Sequence, residues 1–377
     1  MTNKPNTMSE KFMPTPNEKS EVRLMKGNEA LAEAAFRAGM QAYFGYPITP
    51  QSEVIEYLFA EQPKHNCVVL QAESEVAAIN MVFGASGAGA RVMISSSSPG
   101  ISLMQEGISY MASAQLPCLV VNVQRGGPGL GTIQPSQGDY FQATKGGGHG
   151  DYHLIVLAPA SVQEMADFVF EGFRLAEKYR TPAMILADGA LGQMMEKLEL
   201  PAAGSLPLSD APWATTGKKA DRERNIITSL FMQPEKMEQI NLNLQEKYRQ
   251  MEEHEVRYEE FDTEDADLLL VAFGLVSRIC QKTMQLAREK GLKVGLLRPK
   301  TLFPFPSKRL AELSVKVSAV LTVEMNAGQM LEDVRLAVEG RCPVHFKGRM
   351  GGMIPSPDEV LESIESIVEK QNVELQR

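Results

Sequence analysis

From about residue 24 the chain alternates between two hydrophobic textures. Continuous apolar runs of five to eight residues are separated by longer stretches with apolar positions at helical spacing. Asn28 is placed to cap a helix over EALAEAAFRA that Gly39 ends, and QAYFG reads as the strand that follows. A helix from about Gln51, the strand CVVLQ and a small-residue helix over ESEVAAINMVFGASGAG come next. The strand RVMISS, the helix ISLMQEGISYMASA and the strand PCLVVNV continue the pattern. Beyond a long polar loop lie LIVLAP, the helix SVQEMADFVFEGFRLAEKY and the strand PAMILA. Repeated strand–helix alternation with unbroken apolar strands predicts an α/β fold, a parallel sheet covered by helices on both faces.

The texture changes near Pro201. Residues 201–262 are rich in proline and charge and hold one exposed helix, MEQINLNLQEKYRQMEEHE, so they read as a linker or an arm on a partner. From Asp265 the alternation resumes with ADLLLVAFG, LKVGLLRP, SAVLTVE and PVHFKG, each followed by a helical stretch. The expected organisation is an arm over 1–21, one doubly wound domain over 22–200, the linker over 201–262 and a second, smaller doubly wound domain over 263–377. No internal repeat of 20–50 residues is present.

Composition narrows the function classes. The chain has 377 residues, 44% of them hydrophobic, with a formal net charge of −9 and its cations scattered among acids. That distribution argues against a nucleic-acid footprint. No apolar run reaches membrane-spanning length, and the polar N-terminus lacks a targeting pattern, so a cytoplasmic protein without membrane or nucleic-acid partners is expected. Cys67, Cys118, Cys280 and Cys342 are far apart, with no C-x-x-C pair to ligate zinc or an iron–sulfur cluster. Buried thiols are the expectation.

Four segments invite chemistry. GYPITP (Gly45–Pro50) pins a strand-to-helix turn with two prolines around Ile48 and Thr49. QAESEVAAIN places Glu73 and Glu75 in a first helical turn, where acids favour the helix dipole. The apolar VAAI after Glu75 would also desolvate its carboxyl, suiting it to donate a proton or to bond a ring nitrogen. SSSSPG opens a helix at a strand end, with Ser98 as a candidate N-cap and Pro99 at the first helical position, or with both lining a cofactor pocket. The loop from Gln124 to His153 is far longer than an ordinary strand–helix connection and begins with Arg125, a cation suited to a carboxylate. A glycine-rich flexible lid, with Arg125 in a structural ion pair, is the alternative. GASGAGAR follows a helix and precedes a strand, the reverse of a dinucleotide-binding loop. His149 and His153 flank Asp151 among glycines, with no helix to align them on a metal.

With GYPITP, ESEVAA, SSSSPG and QRGGPG in place, their order and spacing resemble the α subunit of the 2-oxoacid:ferredoxin oxidoreductases. The resemblance covers residues 22–375 and includes LLRPKTLFPFP and VEMNAGQM. It implies a thiamine diphosphate pyrimidine-binding fold followed by a transketolase C-terminal-like fold. Carried over by position, Tyr46, Pro47, Ile48 and Thr49 form the turn at the cofactor's reactive end, with the Thr49 hydroxyl toward substrate. Glu75 matches the glutamate at the pyrimidine nitrogen, Arg125 the arginine near the substrate carboxylate, and Ser98 and Pro99 line the pocket. Glu75, Thr49 and Arg125 are thus the implied catalytic residues.

The same resemblance implies what this chain leaves to others. No G-D-G with a following asparagine is present to bind diphosphate through a divalent metal. A β subunit would bring the diphosphate site and Mg2+. The iron–sulfur clusters would lie on partners, with γ and ferredoxin-like δ subunits and ferredoxin as acceptor, and this chain alone would be inactive. The implied reaction is oxidative decarboxylation of a 2-oxoacid with coenzyme A. LGTIQPSQGDYFQATKGGGHGDY and DGALGQMME resemble the branched-chain (3-methyl-2-oxobutanoate) type, with 2-oxoglutarate and pyruvate as alternatives. Another thiamine diphosphate enzyme, such as a transketolase, and a non-catalytic scaffold subunit are the competing classes.

Overall fold

The computed structural model describes residues 20–218 and 222–375. Most of the arm expected over 1–21 lies outside them; Glu21 already belongs to a strand. The strands are β1 (Glu21–Lys26), β2 (Ala42–Gly45), β3 (Val68–Gln71), β4 (Val92–Ser96), β5 (Cys118–Gln124), β6 (Ile155–Leu157) and β7 (Pro182–Asp188). They continue as β8 (Met195–Leu200), β9 (Tyr258–Phe261), β10 (Leu268–Val271), β11 (Val294–Pro299), β12 (Thr301–Phe303), β13 (Ala319–Glu324) and β14 (Val344–Gly348).

One sheet has the order β3-β2-β4-β5-β7-β6-β12 and is parallel except for β12, which runs antiparallel to β6. The other has the order β14-β13-β10-β11-β9, again parallel except at its β9 edge. A β1–β8 ribbon stands apart. Four strands depart from the sequence reading, the paired β1 and β8 and two others. Tyr258–Phe261, expected in the linker, closes the edge of the second sheet, and Thr301–Phe303 returns from the second half of the chain to the edge of the first. Both are short edge strands; Tyr258–Phe261 is half-exposed throughout, and Thr301–Phe303 is too short to carry a pattern.

The helices are α1 (Gly27–Arg37), α2 (Ser52–Glu61), α3 (Glu75–Gly87), α4 (Ser98–Ser113), α5 (Tyr140–Thr144) and α6 (Val162–Tyr179). After them come α7 (Gly189–Gln193), α8 (Pro234–His254), α9 (Gly274–Glu289), α10 (Ser307–Ser314), α11 (Met330–Val338) and α12 (Pro357–Leu375). Strand alternation sorts the core. Leu119, Val121 and Val123 of β5 face one apolar layer, shared with α1 and α6, while Cys118 and Val120 face the opposite one. That opposite layer also takes Leu269 and Val271 of β10 from the second sheet, so the two halves share one core layer. Leu268 and Leu270 face a third layer under α9 and α12. The expected exposed helix near 237–255 is α8, and its Leu244, Tyr248 and Met251 are buried in the first layer. Cys118, Cys280 and Cys342 are buried and Cys67 is half-buried.

Polar contacts also join the halves. Arg298 pairs with Glu164 and donates to Glu259 at 2.7 Å, while Lys300 bridges the same two carboxylates at 2.8 and 3.3 Å. Burial opposes the charge on Glu164, but Arg298 and Lys300 prevail and hold its carboxyl at about 2. The long Gln124–His153 loop is the other brace. Gln137 exchanges bonds with the Met325 backbone, N–H to O at 3.1 Å and N–H to Oε1 at 3.0 Å, and donates through Nε2 to Phe273 O at 2.9 Å. Tyr140, fully buried, donates to Asp333 at 2.6 Å. The free-lid alternative therefore does not describe this loop, which contains α5 and binds both halves together.

Candidate functional site

Because β2, β3, β4, β5 and β7 are parallel, their carboxyl ends line one sheet edge, where open α/β sheets bind ligands. Four of those ends carry the residues singled out by sequence. β3 leads to Glu75, β2 to the Tyr46–Pro50 turn, β4 to Ser98 and Pro99, and β5 to Arg125.

The turn is held by its carbonyls. Pro47 and Pro50 have no N–H to anchor, and the Thr49–Pro50 bond is cis. Pro50 O instead accepts Asn28 Nδ2 at 2.8 Å and Gln193 Nε2 at 3.3 Å, and Thr49 O accepts Arg125 Nη1 at 2.9 Å. A side chain on Gly189 would meet the Pro50 ring at 2.9 Å, so the first turn of α7 seats directly on it. Asn28 thus does something other than the expected capping. The helix begins two residues earlier, at Gly27, and Asn28 is buried with its amide on Pro50 O and Glu53. A tertiary use has displaced a local one. Beneath the turn, buried Tyr43 bonds Ser95 at 2.7 Å, and Ser95 donates to Gln51 Oε1 at 2.7 Å. Tyr46, Pro47 and Thr49 are exposed and Ile48 half-exposed, so the turn presents its side chains outward from a fixed base.

Glu75 opens α3 behind the Ser74 cap, as the first-turn reading expected, yet only 6% of it is exposed. Its carboxylate makes no hydrogen bond or ion pair among the described residues. It lies against α4 where Gly100 has no side chain. A Cβ there would sit 2.5 Å from Glu75 Oε1 and 2.0 Å from Ser96 Oγ. Ser96 Oγ and Ser97 Oγ are both buried without a partner. The Glu75 carboxyl and the Ser96 hydroxyl therefore stand together without partners among the described residues, an arrangement that a polar ring could complete. Sequence reasoning singled out SSSSPG but assigned roles only to Ser98 and Pro99 within it, because nothing local marks a glycine that admits a carboxylate from a helix 25 positions earlier.

Ser98 is not the expected N-cap. Ser97 occupies that position, Ser98 is the first helical residue and Pro99 the second. Ser98 Oγ donates to Asp139 Oδ2 at 2.5 Å and accepts the Arg125 backbone N–H at 3.0 Å. Asn122 Nδ2 donates to the same Asp139 oxygen at 2.9 Å, and its Oδ1 accepts Ser98 N–H at 3.1 Å. Ser98 is thus spent on this network, and Pro99 is half-exposed beside it. Arg125 makes no ion pair among the described residues; its Nη1 rests on Thr49 O and its Nε is buried without a partner. A guanidinium so placed keeps donors for an outside anion. His153, away from this edge, stacks on Phe303 at 4.2 Å and meets Tyr248 edge-on, a packing role.

Comparison with known proteins gives concordant matches. Residues 33–261 match the family described as pyruvate flavodoxin/ferredoxin oxidoreductase, thiamine diphosphate-binding, and residues 266–360 match pyruvate:ferredoxin oxidoreductase core domain II. The chain is 49% identical to the ketoisovalerate oxidoreductase subunit VorB of Methanothermobacter thermautotrophicus, over 92% of this chain and 97% of that one. It is 37% identical to the 2-oxoglutarate synthase subunit KorA of Archaeoglobus fulgidus, over 92% and 99%. Among solved structures, the 2-oxoglutarate:ferredoxin oxidoreductase of Magnetococcus marinus superposes with a TM-score of 0.82 at 27% identity, covering 94% of this chain and 66% of that longer one. A split-gene transketolase shares the fold alone, with a TM-score of 0.58 at 13% identity.

Proposed function

The chain belongs to the 2-oxoacid:ferredoxin oxidoreductase family, and from that premise we propose that it supplies the pyrimidine-binding half of the active site of a branched-chain 2-oxoacid:ferredoxin oxidoreductase. The observation that carries this reading is the buried Glu75 carboxylate, with no partner among the described residues, beside the unsatisfied Ser96 hydroxyl across Gly100. These groups fit the ring nitrogen and amine of the thiamine diphosphate pyrimidine, with the carboxyl holding a proton at the nitrogen. Thiamine diphosphate, when bound, supplies the carbanion chemistry by which a 2-oxoacid loses carbon dioxide. This chain's own residues orient and sequester. Arg125 offers donors to the substrate carboxylate, and the fixed 46–50 turn presents Ile48 and the Thr49 hydroxyl.

Identity of 49% to ketoisovalerate subunits, against 34–37% to archaeal 2-oxoglutarate synthase subunits, favours the branched-chain acid. The stretch GGPGLGTIQP after Arg125 agrees. It offers exposed Leu130 and Ile133 but no second cation for the distal carboxylate of 2-oxoglutarate. Diphosphate and Mg2+ belong to a β subunit, and the iron–sulfur clusters to γ or ferredoxin-like δ partners. The four cysteines here are free, and no group of three or more His, Cys, Asp or Glu side chains among the described residues is gathered to hold a metal. No helix among the described residues is long and apolar enough to cross a membrane, in keeping with cytoplasmic work.

The test uses the complex purified through a tag on this chain. Viologen reduction is compared with 3-methyl-2-oxobutanoate, pyruvate and 2-oxoglutarate, each with coenzyme A, and the branched acid is expected to give the highest kcat/KM. A clear preference for 2-oxoglutarate overturns the substrate assignment. Glu75→Ala is expected to abolish turnover and leave assembly intact, and near-full activity in that variant sinks the role of the carboxyl.

A further inference from the structure

We propose that Asp139, in the long loop, is a positioning residue that sets Arg125 through Ser98 for the 2-oxoacid carboxylate, an inference that rests on the reading of Arg125 above. Asp139 stands before α5 but does not cap it. Its backbone N–H donates to Gln124 Oε1 at 3.0 Å, and its Oδ2 takes the Ser98 hydroxyl at 2.5 Å and the Asn122 amide at 2.9 Å. With its proton drawn to Asp139, Ser98 Oγ keeps its lone pairs for Arg125 N–H at 3.0 Å. Asn122 Oδ1 closes the ring on Ser98 N–H at 3.1 Å. The start of the Arg125 side chain is thereby fixed, and Nη1 on Thr49 O fixes its far end. The guanidinium has no ion pair and its Nε no partner, so Thr49 O is the side chain's hold among the described residues, while the backbone is also bridged to Pro135 and its carbonyl lies 3.3 Å from the Ser98 hydroxyl.

What the network needs from Asp139 is an acceptor oxygen. Burial raises its carboxyl above the usual range against the pull of the Ser98 and Asn122 donors. An asparagine places a carbonyl oxygen where Oδ2 stands and can accept both bonds. An alanine frees the Ser98 hydroxyl to turn elsewhere, and the start of Arg125 then keeps only its bridge to Pro135.

In the purified complex, Asp139→Ala is expected to raise KM for the 2-oxoacid about tenfold, leave KM for coenzyme A unchanged, and lower kcat by a smaller factor. Asp139→Asn is expected to restore KM to within about twofold of the parent. Tyr140→Phe, which cuts the neighbouring brace to Asp333 without touching this ring, is expected to lower Tm and leave both KM values alone. If Asp139→Ala does not assemble, Ser98→Ala interrupts the same relay and is expected to give the same KM split. An unchanged 2-oxoacid KM in the assembled variant overturns the proposal, as does a rise in both KM values together with a lowered Tm. Arg125→Ala separates the two levels. If it leaves the 2-oxoacid KM unchanged, the reading beneath fails and this inference with it. If it raises KM while Asp139→Ala and Ser98→Ala do not, only the positioning role fails.

Discussion

Gly100→Ala tests the site without touching a functional side chain. Gly100 lies in the first turns of α4, where an added methyl would overlap Ser96 Oγ at 2.0 Å and the Glu75 carboxyl at 2.5 Å for Oε1 and 3.1 Å for Cδ. Overpacking of a core usually costs about 1–3 kcal/mol. Here both obstacles are ends of rotatable side chains, which turn aside cheaply. Replacing glycine by alanine in a helix returns up to about 1 kcal/mol. The net change in folding free energy is therefore small, within about 1 kcal/mol. Function responds differently, because relief of the overlap moves the Glu75 carboxyl itself. A displaced general acid–base group forfeits about 10²–10⁴ in rate.

Gly107→Ala is the control on the same helix. Its methyl would meet buried Ile79 at 2.6 and 2.7 Å at the two γ carbons and 3.2 Å at Cβ. Ile79 is β-branched and cannot rotate away without exchanging one clash for another. That variant is expected to lose about 1–2 kcal/mol of stability and to keep the parent kcat once assembled. The assay pairs thermal unfolding of the complex with viologen reduction. Gly100→Ala is expected to hold Tm within about 2 °C while turnover falls at least 10²-fold. Parent-level turnover in Gly100→Ala would refute the placement of Glu75 at the reacting ring, and a Tm loss matching that of Gly107→Ala would refute the packing reasoning.

Three further outcomes follow from two carboxylates, Glu164 between the halves and Glu324 within the second. Arg298→Ala leaves Glu164 and Glu259 to share Lys300, and is expected to cost about 2–4 kcal/mol, read as a lowered denaturation midpoint. Because Glu164 is held at about 2, its contribution is complete above the usual carboxylate range and disappears as pH falls toward 2, so the acid-unfolding limb of Arg298→Ala should be shallower. Glu324 has the opposite sign. Burial pushes its carboxyl up to about 7 against the Met330, Asn326 and Leu331 donors, so its contribution is full below the usual carboxylate range and lost as pH rises through 7. The parent should lose up to about 3 kcal/mol between pH 5 and 8 from this group, a slope absent in Glu324→Gln.

How far the sequence reveals this molecule depends on how each feature is encoded. Strands such as CLVVNV and LLLV are legible because burial on both faces writes an unbroken apolar run, and α6 because one buried face writes a 3.6-residue period. Of the edge strands, β3 and β14 are legible and two escape, since Tyr258–Phe261 alternates little and Thr301–Phe303 is three residues beside a proline. The site divides the same way. Tyr46–Pro50, Glu75 and Arg125 stand at strand ends that the sheet order brings side by side, and topology suffices to gather them. Their restraints have no period. Asn28 reaches Pro50 across 22 positions, Ser98 reaches Asp139 across 41, and Tyr140 reaches Asp333 across 193. Each is one donor meeting one acceptor, a choice that leaves its mark only in three dimensions. Local rules therefore misassigned Asn28 and Ser98 as caps, the commonest short-range use of their side chains. The long loop shows the same limit from the other side. Its length announced a role, but only the Gln137 and Tyr140 bonds reveal that it ties the two halves together while Asp139 reaches back to Ser98 beside Arg125.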